Sequence, residues 1–242
     1  MKLISLLIFT LFFFNRAGSD NLHRGIVIEQ TKSAEILNDP PLSILIIGDS
    51  QSTTKTKSGQ SINWSWPNLI LKKLRHFGVT VDVEAIGGKT SSWMLSALKK
   101  RFETGKHWDR VILYGGGNDA TNMSISLETT INNFQQMIDI SNSHGCDVWV
   151  NLGWKIEGKF MDINILPVGR PSNLLNKKTD WLPYIQKRKD LQSRFKSDLK
   201  GCQFVEPYDL MSMTSDGIHP TPSGHKLVCD FILKTIDTTS YK

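Results

Sequence analysis

An α/β domain with a mostly parallel β-sheet is the fold that this sequence predicts. From residue 43 to near the C-terminus, short aliphatic runs typical of strands alternate with longer runs whose apolar residues recur at helical spacing. No Pro/Gly/Ser-rich linker or internal repeat interrupts this alternation, and 242 residues with 39 % hydrophobic side chains suffice for one well-buried domain. Strands and helices that alternate in this way imply a sheet covered by helices on both faces.

Five strands and five helices follow from the periodicity. The first strand is the aliphatic run 43–47, and four more are predicted at 79–86, 110–114, 147–152 and 203–205. A helix begins near Pro67, where apolar residues recur at helical spacing, and Gly78 ends it. The other helices are predicted over 92–102, from 127 to Gly145, over 179–199 and over 222–236. An irregular insertion, 153–178, separates the fourth strand from the long fourth helix.

The first 42 residues are predicted to direct export and then to lead into the domain. Lys2 precedes an apolar run, 3–14, that is too short to span a bilayer easily as a helix. Ala17 and Ser19 then offer a small-residue cleavage site. We therefore predict a cleaved signal peptide over 1–19, a surface lead-in over 20–42 and a secreted or periplasmic domain over 43–242, without a stable membrane anchor. An uncleaved anchor is the alternative.

Charge and cysteine content narrow the possible partners. The net charge of +6 could attract a polyanion, but the lysines and arginines are scattered over amphipathic helices, which predicts solvated helix faces and no nucleic-acid partner. The odd number of cysteines, Cys146, Cys202 and Cys229, leaves at least one thiol free. Buried thiols are expected, and a disulfide between two of the three stays open. None has a C-x-x-C partner or a nearby cluster of ligands, so no metal is predicted.

Polar loops, mostly rich in glycine, follow four of the predicted strands. Their sequences are Gly48-Asp49-Ser50, Gly87-Gly88-Lys89-Thr90, Gly115-Gly116-Gly117-Asn118-Asp119 and Asp216-Gly217-Ile218-His219-Pro220. Each loop alone could be an ordinary turn or a helix cap. The carboxyl ends of parallel strands, however, lie at one edge of the sheet, where such sheets bind ligands. The ordered set therefore predicts four loops that converge on a single cleft.

The side chains in these loops are of the types that hydrolysis by a serine requires. A serine hydroxyl is a good nucleophile only when a base removes its proton, so Ser50 is predicted as the nucleophile and His219 as the base. Asp216, three residues before the histidine, can accept from the other ring nitrogen and hold the tautomer. The backbone N–H groups of Ser50 and Gly88 and the neutral side-chain amide of Asn118 are predicted to form the oxyanion hole.

On these residues the chain resembles the SGNH (GDSL-type) hydrolases, over about residues 43–236. Gly48-Asp49-Ser50-Gln51-Ser52 is similar to the first block of that family, and the second, third and fifth blocks match at Gly88, at 116–119 and at 216–220. The resemblance implies a three-layer α/β/α sandwich of flavodoxin-like kind with a five-stranded sheet. It also implies a Ser-His-Asp hydrolase without a cofactor and the same oxyanion hole. Gln51 stands where many members have an aliphatic residue.

For the substrate, the sequence favours an O-acetylated carbohydrate. Seven tryptophans remain after the predicted signal peptide, and exposed indole faces suit sugar rings, so Trp93 and Trp154 are predicted to contact substrate together with Gln51. The opposing interpretation is that these tryptophans fill core and loop contacts. A lipid acyl hydrolase of the lysophospholipase or thioesterase type is the alternative function. A third hypothesis is a glycan-binding module without catalytic activity.

Overall fold

The computed structural model describes residues 42–155, 178–210 and 219–236, with the side chains of 178–182 left out. The predicted signal peptide, all of the predicted lead-in except Leu42 and most of the predicted insertion lie outside the described residues. Asp216 also lies outside them.

The sheet has five strands, and each of them is parallel to its neighbours. The strands are β1 (Ser43–Gly48), β2 (Thr80–Ala85), β3 (Arg110–Tyr114), β4 (Asp147–Asn151) and β5 (Gln203–Val205), in the spatial order β2-β1-β3-β4-β5. This is the flavodoxin-like order of doubly wound sheets. The predicted α/β fold is confirmed, and the sheet is wholly rather than mostly parallel.

The described residues form six α-helices, five between strands and one after the last strand. They are α1 (Trp66–Leu74), α2 (Ser91–Glu103), α3 (Gly117–Thr121), α4 (Leu127–Ser143), α5 (Lys178–Asp198) and α6 (Pro222–Thr235). Five correspond to predicted helices. The short α3 was not predicted, because Asn118 and Asp119 are typical turn residues and five residues are too few to establish a helical period. A short 3₁₀ helix follows α1 and ends where Gly78 adopts a φ of 79°.

Alternate residues of β1 enter two different apolar clusters. Ile44 and Ile46 pack with α1 and α6 on one face of the sheet. Leu45 and Ile47 pack with α2 and α4 on the other. Since successive side chains of a strand point to opposite faces, the sheet is buried on both sides, as three layers require. Leu42, the last residue of the predicted lead-in, is already buried in the first cluster.

Two further features bear on the predictions about thiols and membranes. Cys146, Cys202 and Cys229 are all free thiols, and burial raises the pKa of each to about 11. The disulfide that the sequence left open is therefore not formed. No helix among the described residues combines the length and the apolar character that a transmembrane span requires.

Candidate active site

Three strand ends and one helix start meet at a cleft of about 710 Å³. Ser50 follows β1, Gly87 and Gly88 follow β2, and Asn118 lies in the first turn of α3, after β3. His219 reaches the same cleft from the segment just before α6. The structure thus brings together Ser50, Gly88, Asn118 and His219, which the sequence placed in separate loops.

The turn after β1 fixes the position of Ser50. Gly48 ends the strand where a Cβ atom would lie only 2.6 Å from the Ser52 Oγ and 2.9 Å from the Tyr114 carbonyl oxygen, so only glycine fits there. The Asp49 carboxylate then accepts a hydrogen bond of 3.0 Å from the Gln51 backbone N–H. This bond caps a short 3₁₀ helix over Ser50–Ser52, and the Ser50 side chain is left half-buried at the edge of the cleft.

Ser50 and His219 form a hydrogen bond across 169 residues of chain, with 3.0 Å between the Ser50 Oγ and the His219 Nε2. That distance lies within the range in which an imidazole can take a proton from a hydroxyl. Two residues further on, the Thr221 side chain caps α6 by accepting from the Gly224 N–H at 3.2 Å. The cap fixes the start of the helix directly after the histidine.

Asn118 links the first two loops through its side-chain amide. Its Nδ2 atom donates to the Lys89 carbonyl oxygen at 2.8 Å and to the Asp49 Oδ2 at 3.3 Å. Gly88, beside Lys89, has a φ of 78°, a left-handed conformation that favours glycine. Asn118 is therefore hydrogen-bonded to the residue next to Gly88, and both Asn118 and Gly88 line the cleft.

The carboxyl group of Asp49, which accepts a hydrogen bond from Asn118, is buried. Its side chain is only 2 % exposed, and burial raises its pKa from 3.8 to about 6. The hydrogen bond from Gln51 and the charges of Arg188 and His219 act in the opposite direction. The sequence pattern predicts no catalytic or binding role for Asp49. Nothing in the local pattern distinguishes an exposed acid in a turn from one that the fold buries.

Two further contacts that the sequence did not reveal hold α3 in place. Asp119 is fully buried, and its carboxylate accepts from the Ser91 backbone N–H at 2.9 Å and from the Thr130 hydroxyl at 3.3 Å. Lys187, on α5, donates to the carbonyl oxygens of Asp119, Asn122 and Ile125 at 2.7, 2.8 and 2.5 Å. The helix that carries Asn118 is thus held from both sides.

The three residues predicted to contact substrate lie elsewhere. The Gln51 side chain is 6 % exposed, and Trp154 is 2 % exposed with its indole ring 5.1 Å from the Arg188 guanidinium. Trp93 is half-buried and packs against the apolar cluster beneath α2 and α4. None of the three is among the described residues that line the cleft. Tertiary packing buries Gln51 and Trp154 and partly buries Trp93, and their contact with substrate stays a prediction.

The cleft wall combines apolar side chains with polar and cationic groups. Apart from the residues already named, the described lining consists of Thr53, Lys55, Thr56, Lys57, Ile62, Ala85 and Ile86. No acidic side chain is part of this described lining. Within the described ranges, no group of three or more His, Cys, Asp or Glu side chains could hold a metal ion.

Comparison with known proteins identifies the family. The model of the GDSL-like lipase/acylhydrolase family matches residues 46–227, so the chain belongs to that family and is an ester hydrolase. No curated protein matches the sequence.

Several solved structures share the fold at low sequence identity. The lipase/acylhydrolase from Enterococcus faecalis is 19 % identical, with a TM-score of 0.55 over 81 % of this chain and 95 % of the other. TesA is 20 % identical, with a TM-score of 0.58 over 81 % and 98 %. A catalytic mutant of Axe2, an acetylxylan esterase from Geobacillus stearothermophilus, is 13 % identical, with a TM-score of 0.59 over 83 % and 96 %. The structural similarity of these three proteins, at such low sequence identity, shows a common fold.

Proposed function

We propose that the protein is a serine esterase whose nucleophile is Ser50 and whose general base is His219. The observation that carries this proposal is the 3.0 Å hydrogen bond between the Ser50 Oγ and the His219 Nε2. As the hydroxyl oxygen attacks the ester carbonyl carbon, Nε2 takes its proton and then passes it to the departing alcohol oxygen. Water, deprotonated by the same nitrogen, next attacks the acyl-serine and releases the acid.

The remaining roles complete this mechanism. Asp216 accepts from the second ring nitrogen of His219, so that Nε2 is free to act as the base. The negative charge on the carbonyl oxygen is stabilised by the backbone N–H groups of Ser50 and Gly88 and by the Asn118 amide. Because Asn118 Nδ2 already contacts the Lys89 carbonyl oxygen at 2.8 Å and the Asp49 Oδ2 at 3.3 Å, one of these bonds is exchanged when the amide binds the oxyanion.

For the substrate we propose a carbohydrate from which the enzyme removes O-acetyl groups. Two observations support a short acyl chain and a polar alcohol. Only three apolar side chains, Ile62, Ala85 and Ile86, are among the described lining residues, and Thr53 and Thr56 are also part of that lining. An acetylxylan esterase is also among the proteins of similar fold.

A lipid acyl hydrolase of the lysophospholipase or thioesterase type is the second candidate. It is supported by the family description and by the similar fold of a lipase/acylhydrolase. Nitrophenyl esters of increasing chain length separate the two. We expect the highest kcat/KM with acetate, and activity that rises from acetate to octanoate would exclude the deacetylase.

Acetate release from acetylated xylan, pectin, alginate and peptidoglycan then identifies the polymer. Ser50→Ala is the control in each assay, and we expect it to abolish release because the nucleophile is gone. Hydrolysis that persists in this variant would instead favour a binding module with a contaminating activity.

We further propose that residues 1–19 are a signal peptide and that the enzyme acts outside the cytoplasm. The charged start, short apolar run and small residues near Ala17 support this. N-terminal sequencing of the protein from culture medium or periplasm should give a new terminus close to Asp20. An intact Met1 on the exported protein would contradict cleavage.

A further inference from the structure

One side of the cleft is cationic, and no described acid opposes it. Lys55 and Lys57 both line the cleft, and both side chains are exposed to solvent. Neither forms an ion pair with any acidic side chain of the described ranges. Most of the other described lysines and arginines lie on helices, whereas Lys55 and Lys57 line the cleft that contains Ser50.

The segment that carries the two lysines is a folded hairpin. Lys55 pairs with Ser61 in an antiparallel bridge, and the Ile62 N–H donates to the Thr54 carbonyl oxygen at 2.7 Å. Closer to the tip, the Thr56 N–H donates to the Gln60 carbonyl oxygen at 2.8 Å. These bonds give Lys55 and Lys57 a defined backbone position at the edge of the cleft.

The hairpin is also attached to the catalytic segment. The Thr53 hydroxyl donates to the Ser50 carbonyl oxygen at 3.2 Å, and the Asn68 side chain donates to the Ile62 carbonyl oxygen at 3.0 Å. The nucleophile and the first lysine are only five residues apart in the chain. Both lysines therefore belong to the same cleft as Ser50.

We propose that Lys55 and Lys57 form a subsite for an anionic group, a carboxylate or a sulfate, on the carbohydrate that carries the acetyl ester. This inference rests on the proposed function and specifies its substrate as an acidic glycan. Two like charges without an acidic neighbour create a positive potential that attracts anions and raises their local concentration. A glycan fits better than a lipid headgroup, because only three apolar side chains, Ile62, Ala85 and Ile86, are part of the described lining.

The test compares one polymer in two charge states. O-acetylated polygalacturonate and its fully methyl-esterified form share a backbone and an acetyl content but differ in carboxylate charge. We expect wild-type kcat/KM for acetate release to favour the charged polymer. In Lys55→Gln/Lys57→Gln this preference should fall by about three- to tenfold, since each exposed charge contributes a modest interaction. Raising the salt concentration to roughly 1 M should reduce the wild-type preference in the same direction.

Two matched variants control for net charge and for folding. Lys99→Gln/Lys100→Gln removes the same charge from the exposed side of α2 and should leave the preference unchanged. Lys55→Arg/Lys57→Arg keeps both charges and should retain it.

The outcomes separate this inference from the proposed function. Equal kcat/KM on the two polymers, or a similar loss in the α2 variant, would overturn the anionic subsite while leaving the esterase intact. A lysine dependence seen only with an anionic lysophospholipid would replace the glycan by a lipid. Failure to hydrolyse any ester would refute the proposed function itself.

Discussion

Asp49 combines burial with an ionisable group in contact with Asn118. Its pKa of about 6 lies above the value of 3.8 expected in the unfolded chain, because burial disfavours the charged form. Between these two values the folded state binds more protons than the unfolded state. The contribution of Asp49 to stability is therefore fully present below about pH 4 and is lost as the pH rises through about 6, by about 3 kcal/mol in total.

Asp49→Asn should remove this pH dependence. We expect the free energy of unfolding of the variant minus that of the wild type to be larger at about pH 7.5 than at about pH 4, by about 2.5 kcal/mol. Urea unfolding at both pH values measures the difference. Asp230→Asn is the control: hydrogen bonds from Lys226 and Lys73 lower the pKa of Asp230, so most of its titration lies below this range. An equal shift in both variants would contradict the assignment to Asp49.

The proposed role of Asn118 depends on its side-chain amide. Asn118→Ala should lower kcat by about 10²–10³ if the amide stabilises the oxyanion in the transition state. Steady-state kinetics with an acetyl ester provides the measurement. Asn142→Ala, which removes an amide bonded to the Gly201 carbonyl oxygen, is the control and should leave kcat unchanged. An effect of Asn118→Ala on KM alone would be inconsistent with an oxyanion donor.

Among the elements, α3 depends most on contacts from elsewhere in the chain. It has five residues, too few to be stable in isolation, yet it carries Asn118. Asp119 connects it to the start of α2 and to α4, and Lys187 connects its carboxyl end to α5. The position of Asn118 at the cleft is therefore a property of four helices.

Lys187→Met tests this arrangement, because it leaves three carbonyl oxygens without their shared ammonium donor. We expect a loss of about 2–3 kcal/mol in the free energy of unfolding. Displacement of α3 should lower kcat more than it changes KM. Urea unfolding and kinetics on an acetyl ester measure the two effects. The control is Lys189→Met on the same helix, because Lys189 forms no hydrogen bond or ion pair with a described residue. Equal effects of the two substitutions would argue against the role of the Lys187 hydrogen bonds.

The whole molecule is stabilised by a sheet that is buried on both faces. Ile46 is fully buried in β1, so Ile46→Ala should lower the free energy of unfolding by about 2–5 kcal/mol, and Ile46→Val by about 0.5–1.5 kcal/mol. Urea denaturation measures both. Leu71→Ala on the exposed side of α1 is the control and should cost much less. Similar losses at the two positions would contradict the three-layer packing.

Local patterns predicted most elements of the fold. The bounds of β3 and β5 agree with the prediction, and the other predicted elements agree within a few residues. The reason is that buried strands are short aliphatic runs, whereas the helices that cover them have apolar residues at helical spacing. Patterns failed where burial depends on distant partners. The sequence does not predict that Trp154 is buried against Arg188 or that the Asp49 carboxyl group is buried.

By itself, the sequence determined the α/β alternation and the four polar loops at the strand ends, since both follow from residue types at short spacing. Only the tertiary structure decided which of these groups meet. It placed the Ser50 hydroxyl 3.0 Å from the His219 ring, joined Asn118 to Asp49 across 69 residues and brought Lys55 and Lys57 to the cleft. The physical reason is that a local period specifies the face of an element, whereas contacts between distant residues arise from the packing of all layers together.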